Sequence, residues 1–219
     1  MGDDATAVTV VGAGGIGCAL GHALCSGGVD VSVVENNTPR LEWGRRNGIA
    51  VDQRPPQQAT FVHFEDWQPS SDDLVFLCTK CYDNRAVLER VPISAELIPV
   101  QNGFDPELAR RVDVEAIASF VTECTPGRTL TRITRPGDLH IGFSGAANGR
   151  TLSTRIEVLV DVLEGHGCFT VRRVPEVLPY KYTKLMYNAA IGPIAAVAGL
   201  DNGQLLTIAT ARILFFGLL

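Results

Sequence analysis

The chain has 219 residues, 46% of them hydrophobic and 20% charged, and carries a formal net charge of −5. That composition suits a globular protein with a buried core, long enough for one large domain or for one domain plus part of a second. An acidic balance without a basic patch argues against a nucleic-acid partner, and no apolar run approaches the roughly 20 residues that a membrane span needs.

The first predicted element is a β-branched run, Ala7 to Val11, apolar on both faces as in a buried parallel strand. Gly12-Ala13-Gly14-Gly15-Ile16-Gly17 follows at once. Cys18 to Ser26 then reads as a helix ended by Gly27-Gly28, and Val31 to Glu35 as a second strand. The alternation continues with a helix over Leu41–Asn47, a strand over Phe61–Phe64 and a buried strand over Leu74–Cys78. A helix over Asp83–Arg90 has Asp83 as its expected N-cap. Leu97–Val100 reads as a strand, Pro106–Val112 as a helix capped by Asp105, and Ala116–Thr122 as a further strand. Repeated strand–helix units imply a mostly parallel sheet covered by helices, an α/β fold of Rossmann type.

From Thr129 to Gly142 the pattern turns β-rich, with a turn at Pro136-Gly137-Asp138. A helix over Thr151–Gly165 and a strand over Phe169–Arg173 follow. Pro175 and Pro179 then punctuate the chain, so the expected organisation is a dinucleotide-binding domain over 1–173 and an incomplete helical substrate domain over 174–219. In the second part, Lys181–Ile191 reads as a helix that Pro193 kinks or ends, and Gly203–Leu219 as another. The apolar ending Ile213 to Leu219 leads to the expectation that a further segment, or another chain as in a homodimer, covers it.

The glycine stretch carries the most chemistry. Gly12, Gly14 and Gly17 form GxGxxG between a strand and a helix, the context that gives this motif its force. Gly12 suits a tight turn, Gly14 a close approach to a diphosphate, and Gly17 close packing of helix on strand. The backbone from Gly12 through Ala13, Gly14, Gly15 and Ile16 to Gly17 is therefore expected to bind a nicotinamide dinucleotide. Glu35 closes the second strand, where an acidic residue usually accepts a hydrogen bond from the adenosine ribose and favours NADH. Arg40, Arg45 and Arg46 lie near enough in sequence to hold a 2′-phosphate instead.

Several stretches together resemble the ketopantoate reductase (2-dehydropantoate 2-reductase) family. They are Gly12 to Gly17, Asp73 to Lys80, Gln101-Asn102-Gly103, Lys184 to Ile191, and Asn202-Gly203. The resemblance implies reduction of a 2-keto acid, ketopantoate foremost, by NADPH in pantothenate biosynthesis. It implies that Lys184 protonates the new alkoxide, that Asn188 binds substrate one helical turn on, and that Asn102 and Lys80 stand near nicotinamide and substrate. Spacing i, i+4 puts Lys184 and Asn188 on one helix face. A developing alkoxide needs positive charge and donors, which lysine and amide side chains supply. The chain departs from the family at Gly192, where a second asparagine is usual, and at Asn36, where an arginine is usual. The family also runs on for another stretch carrying a serine and a glutamate that bind substrate. Without them, cofactor binding with little or no turnover is expected. A dinucleotide-binding sensor and a reductase of another keto acid or sugar-derived ketone are the competing functions.

The six cysteines, Cys18, Cys25, Cys78, Cys81, Cys124 and Cys168, show no regular spacing, so reduced thiols in a cytoplasmic protein are expected. Cys78-Thr79-Lys80-Cys81 spells a CxxC, but no second such pair accompanies it, and no metal or redox role is expected there. Glu123-Cys124-Thr125 hints at a nucleophile without an assignable base. The four histidines stand apart from any acid or nucleophile.

Overall fold

The computed structural model describes residues 8–218; Met1 to Ala7 and Leu219, which held parts of the expected first strand and last helix, lie outside the described residues. Five short apolar strands, β1 (Val8–Val11), β2 (Val31–Glu35), β4 (Thr60–His63), β5 (Leu74–Leu77) and β6 (Glu96–Pro99), form an all-parallel sheet in the order β4-β2-β1-β5-β6. A parallel bridge between Val100 and Ala116 carries the array on to β7 (Val114–Ala118). Beyond it, β10 (Asp138–Phe143) pairs antiparallel with β7 and parallel with β11 (Thr170–Glu176).

Strand alternation sorts the core into two layers. Val8, Val10, Val33, Phe76 and Ile98 point to the face covered by α1 (Gly15–Ser26) and α5 (Thr154–His166). Val11, Val34, Val75, Leu77 and Leu97 point to the other, where they meet Trp67, Val87 from α3 (Asn84–Leu88) and Leu108 from α4 (Pro106–Ala109). Both faces are buried, which is why these strands read as continuous apolar runs. A third sheet, β3 (Ala50–Val51), β9 (Leu130–Arg135) and β8 (Val121–Cys124), packs on α1. Helix α2 (Thr38–Asn47) starts earlier than its apolar pattern, because Asn37 caps it by accepting from the Arg40 amide at 3.0 Å.

Several expectations are corrected by long-range contacts. Asp83 does not cap α3: its backbone is already helical (φ −90°, ψ −10°) at the end of a 3-10 turn over Cys81–Asp83, and its side chain makes no cap hydrogen bond. A cap needs an extended backbone, and Asp105, with φ −136°, has one and accepts from the Glu107 and Leu108 amides. The single strand expected over Ala116–Thr122 is two, β7 and β8, in different sheets. The break falls at Ser119, whose hydroxyl accepts from the Asp138 amide at 2.7 Å. For the same reason β9 and β10, though they flank Pro136-Gly137, do not pair with each other.

The described residues divide into two compact units with the boundary between Val177 and Leu178. Arg173, the expected boundary, lies inside β11, whose pairing with β10 runs on to Glu176. In the second unit, α6 (Leu178–Ala198) continues through Pro193, and Ala190, Ile191, Ile194 and Ala195 form a core with Leu205 and Phe215. That packing outweighs the hydrogen bond Pro193 removes. The last helix is two, α7 (Asn202–Thr207) and α8 (Ala209–Leu218), parted at Ile208, whose backbone is extended. Among the described residues no helix is long and apolar enough to cross a membrane.

In the first unit, Phe120 is buried and stacked on Phe169, ring centroids 4.7 Å apart and ring planes nearly parallel. Phe120→Ala should lower the unfolding free energy by about 3–5 kcal/mol, with the slope of the urea transition unchanged. A loss under 1 kcal/mol in urea titration would show that this corner of the core repacks.

Candidate functional site

Register brings the site together before any side chain does. Val11 aligns with Val34 on one side and with Leu77 on the other, and Leu77 aligns with Pro99. Gly12, Glu35, Cys78 and Val100 therefore leave the sheet along one edge, with Lys80 and Asn102 two residues beyond the last two. The strand order puts β2 and β5 on opposite sides of β1, so the chain reverses direction across the sheet here. Crevices outside the carboxyl ends of strands at such a switch point are where open α/β sheets bind ligands.

Gly12 turns out of β1 with φ +97°, a conformation that glycine adopts without strain, and its amide donates to Val34 O at 2.8 Å. A Cβ on Gly17 would lie 1.9 Å from Gly12 O, so the first turn of α1 can pack on the loop only if this residue has no side chain. At Gly14, the residue before the helix, a Cβ would meet nothing within 4 Å, and no side chain caps α1. Ala13 is buried, while Gly15 and Ile16 are half-buried. An uncapped helix N-terminus behind an open glycine offers backbone N–H groups and partial positive charge, the arrangement that receives a phosphate or diphosphate.

Glu35 is buried and occupied. Oε2 accepts from the Ala13 amide at 3.0 Å and from Arg40 Nη1 at 3.2 Å; Oε1 accepts from the Asn36 and Asn37 amides at 2.9 and 2.8 Å. A carboxylate has about four acceptor positions, and all are taken. Glu35, the expected ribose acceptor, ties the glycine loop to the end of β2 and the start of α2. Arg40 also keeps its Nε buried with no partner. Arg45 and Arg46 turn back on Glu42 of their own helix. A crevice of about 190 Å³ opens here, bordered by Gly12, Glu35, Asn36, Phe64, Thr79 and Asp83.

Lys80 and Asn102 are both exposed on loops that a buried amide pair holds in place. Asn84 Nδ2 donates to Gln101 Oε1 at 3.2 Å, and Gln101 Nε2 donates to Asn84 Oδ1 at 2.7 Å and to Thr79 O at 2.9 Å. Asn84 Nδ2 also donates to Asp105 Oδ2 at 2.8 Å. Burial pushes the Asp105 carboxyl up, but the Asn84 amide and the Leu108 and Glu107 N–H groups outweigh it and hold it below the usual range. Neither Asn84 nor the amide pair was legible beforehand; the only hint was Gln101 beside Asn102.

Lys184 and Asn188 lie one turn apart on α6 in the second unit, the lysine half-buried and the asparagine exposed. At Gly192, one further turn on, a Cβ would meet nothing within 4 Å.

Residues 8–151 match the family described as ketopantoate reductase PanE/ApbA. The chain belongs to the ketopantoate reductase family. It is accordingly an oxidoreductase, and the resemblance read from its motifs holds. Among solved structures, a 2-dehydropantoate 2-reductase from Methylococcus capsulatus superposes with a TM-score of 0.74 at 22% identity, over 97% of this chain and 72% of the other. A D-mandelate dehydrogenase solved with NADH and anilino(oxo)acetate gives 0.75 at 16% identity, over 95% and 70%. A dimeric ketopantoate reductase from Staphylococcus aureus gives 0.67 at 14% identity, over 97% and 76%. These likenesses establish the shared fold. Among curated proteins no relative matches.

Removing Gln101 strands the buried amide of Asn84. Gln101→Ala is expected to cost about 1–3 kcal/mol of stability, measured by urea titration, whereas Asn102→Ala, on the exposed neighbour, should leave the transition where it is.

Proposed function

We propose that this member of the ketopantoate reductase family reduces a 2-keto acid, ketopantoate first, to the 2-hydroxy acid with NADPH. The observation that supports this most is the uncapped start of α1 behind Gly12 and Gly14, at the switch point of a parallel sheet. The backbone from Gly12 to Gly17 receives the diphosphate. When bound, the reduced nicotinamide supplies the hydride to the keto carbon. Lys184 gives a proton to the oxygen that becomes the hydroxyl. Asn188 holds the substrate from the same helix face, and Asn102 and Lys80, on the loops braced by Gln101 and Asn84, orient the reacting groups. A cation and amide donors aimed at a developing alkoxide are what lower its energy.

The preference for NADPH rests on Glu35 and Arg40. With its four acceptor positions filled, Glu35 has none left for a ribose hydroxyl, and its charge is offset by the guanidinium and three amides. Arg40, paired with Glu35 on the crevice wall, brings positive charge beside it, and hydrogen bonds to charged groups are worth about 1.5–3 kcal/mol, enough to separate the two cofactors tenfold or more. Fluorescence titration should find NADPH bound at least about tenfold more tightly than NADH, and Arg40→Ala should erase that difference. NADH binding as tightly as NADPH would overturn this assignment.

Turnover is tested by loss of reduced-nicotinamide absorbance with ketopantoate and a panel of other keto acids. Lys184→Ala should lower kcat by about 10²–10⁴ while NADPH affinity stays near that of the unaltered protein. Gly192, where the family usually carries an amide, favours the second reading, a dinucleotide sensor; cofactor binding without turnover of any keto acid would support it.

A further inference from the structure

Two cysteines far apart in sequence meet under the glycine loop. Cys18 Sγ, in the first turn of α1, donates to Ala13 O at 3.3 Å, and Cys124 Sγ, on β8, lies 4.0 Å from the same oxygen. Both sulfurs therefore crowd one carbonyl oxygen. Strand and helix are in close contact here: a Cβ on Gly15 would fall 2.1 Å from the Thr122 hydroxyl oxygen, two residues before Cys124. Their exposure differs. Cys18 is fully buried, whereas Cys124 is half-buried and borders an open hollow of about 970 Å³ that also touches Arg54, Glu123 and Arg132. A small solute can therefore reach Cys124 first, with Cys18 directly behind it.

We propose that Cys18 and Cys124 form a reversible thiol–disulfide pair across the glycine loop, with Cys124 the residue that meets the oxidant. The oxidant class is a peroxide, hydrogen peroxide being the simplest. The Cys124 thiolate attacks one peroxide oxygen, the O–O bond breaks, and hydroxide leaves, giving a sulfenic acid. Cys18 sulfur then attacks the Cys124 sulfur, the S–O bond breaks, and the departing hydroxyl takes the Cys18 proton as water. Two thiols lose two electrons and two protons, and one peroxide becomes two waters.

The surroundings select this pair over the other thiols. The adjacent Cys18 thiol outweighs burial and, with the positive charge of Arg40, brings Cys124 down to about 7, against an opposing push from Glu35. Burial pushes Cys78 up to about 12 and Cys25 up to about 11, and it raises Cys168 as well. Thiolate character and access decide which cysteine reacts. Within the CxxC that the sequence displays, Cys78 is held as a thiol and Cys81 turns its Sγ to Gln101 Oε1 at 3.5 Å.

A disulfide has a consequence that rests on the proposed cofactor site. The peptide of Ala13 is held at its N–H by Glu35 and at its carbonyl by the Cys18 thiol. A disulfide has no S–H, so oxidation withdraws that donor from the residue that leads into Gly14. Dinucleotide affinity should fall about tenfold or more on oxidation, which is 1.4 kcal/mol at the cradle.

The folded protein is treated with hydrogen peroxide, blocked with N-ethylmaleimide and digested with trypsin without reduction. The expected product is a linked peptide pair whose fragment ions join Cys18 to Cys124, reversed by dithiothreitol and absent from Cys124→Ser. Because trypsin leaves Cys18 and Cys25 on one peptide, Cys25→Ser is run in parallel and should still link. Cys124 oxidised to sulfinic acid with Cys18 free, or a Cys78–Cys81 link in its place, overturns the proposal. NADPH titration of reduced and oxidised protein then tests the coupling. A link with unchanged affinity overturns the coupling, and a reduced protein that binds no dinucleotide overturns the cofactor reading, while the link stands or falls on its mass alone.

Discussion

Glu35 joins three segments that the chain itself keeps apart: the glycine loop after β1, the turn after β2 and the first turn of α2. A buried carboxylate is costly unless its charge is paired and its acceptor positions are filled. Three backbone amides and one guanidinium meet that requirement. The result is a loop whose position depends on a charged side chain rather than on its own sequence, since glycines contribute little rigidity. The proposed phosphate cradle follows from that anchorage. The Ala13 peptide is fixed, Gly14 faces open space, and no side chain caps the first turn of α1.

The same economy of side chains governs the second half of the edge. Lys80 and Asn102 are exposed, and exposed loop residues are not held in place by their own packing. Their loops are held instead by Gln101 and Asn84, whose amides satisfy each other in both directions and reach Thr79 O and Asp105. A fully satisfied buried network of this kind orders a loop without filling the space above it. Polar contacts beneath the site and empty space over it are complementary parts of one design.

What the sequence made legible has a physical boundary. Strands buried on both faces, β1, β2 and β5, announce themselves as apolar runs, and GxGxxG is legible because its geometry is enforced over six adjacent residues. Asp105 was readable as a cap for the same local reason. The features that were missed depend on partners distant in the chain. Ser119 ends β7 because Asp138 lies opposite, Asp83 loses its capping role to the 3-10 turn that precedes α3, and Pro193 stays helical because Leu205 and Phe215 hold its neighbours. At the site, Glu35 was located correctly by its place at the strand end, but its saturation could not be seen without the loop folded against it. That Lys184 and Asn188 stand one turn apart on a helix was legible in their spacing.

The cysteines show the same boundary from the chemical side. A CxxC is conspicuous as text, yet reactivity belongs to environment, and here burial keeps Cys78 protonated. Cys124 carries no local signature at all. Its character comes from Cys18 on another element, from Arg40 on a third, and from a hollow that reaches its sulfur. Arg40 thus acts on both sides of the loop, balancing Glu35 in the crevice and favouring thiolate beneath Ala13. A single guanidinium, placed by the Asn37 cap at the start of α2, links how the loop is held to how its underside reacts. Replacing it would disturb both at once, so an effect of Arg40 on cofactor choice is interpretable only when the oxidation state of the thiols is held constant.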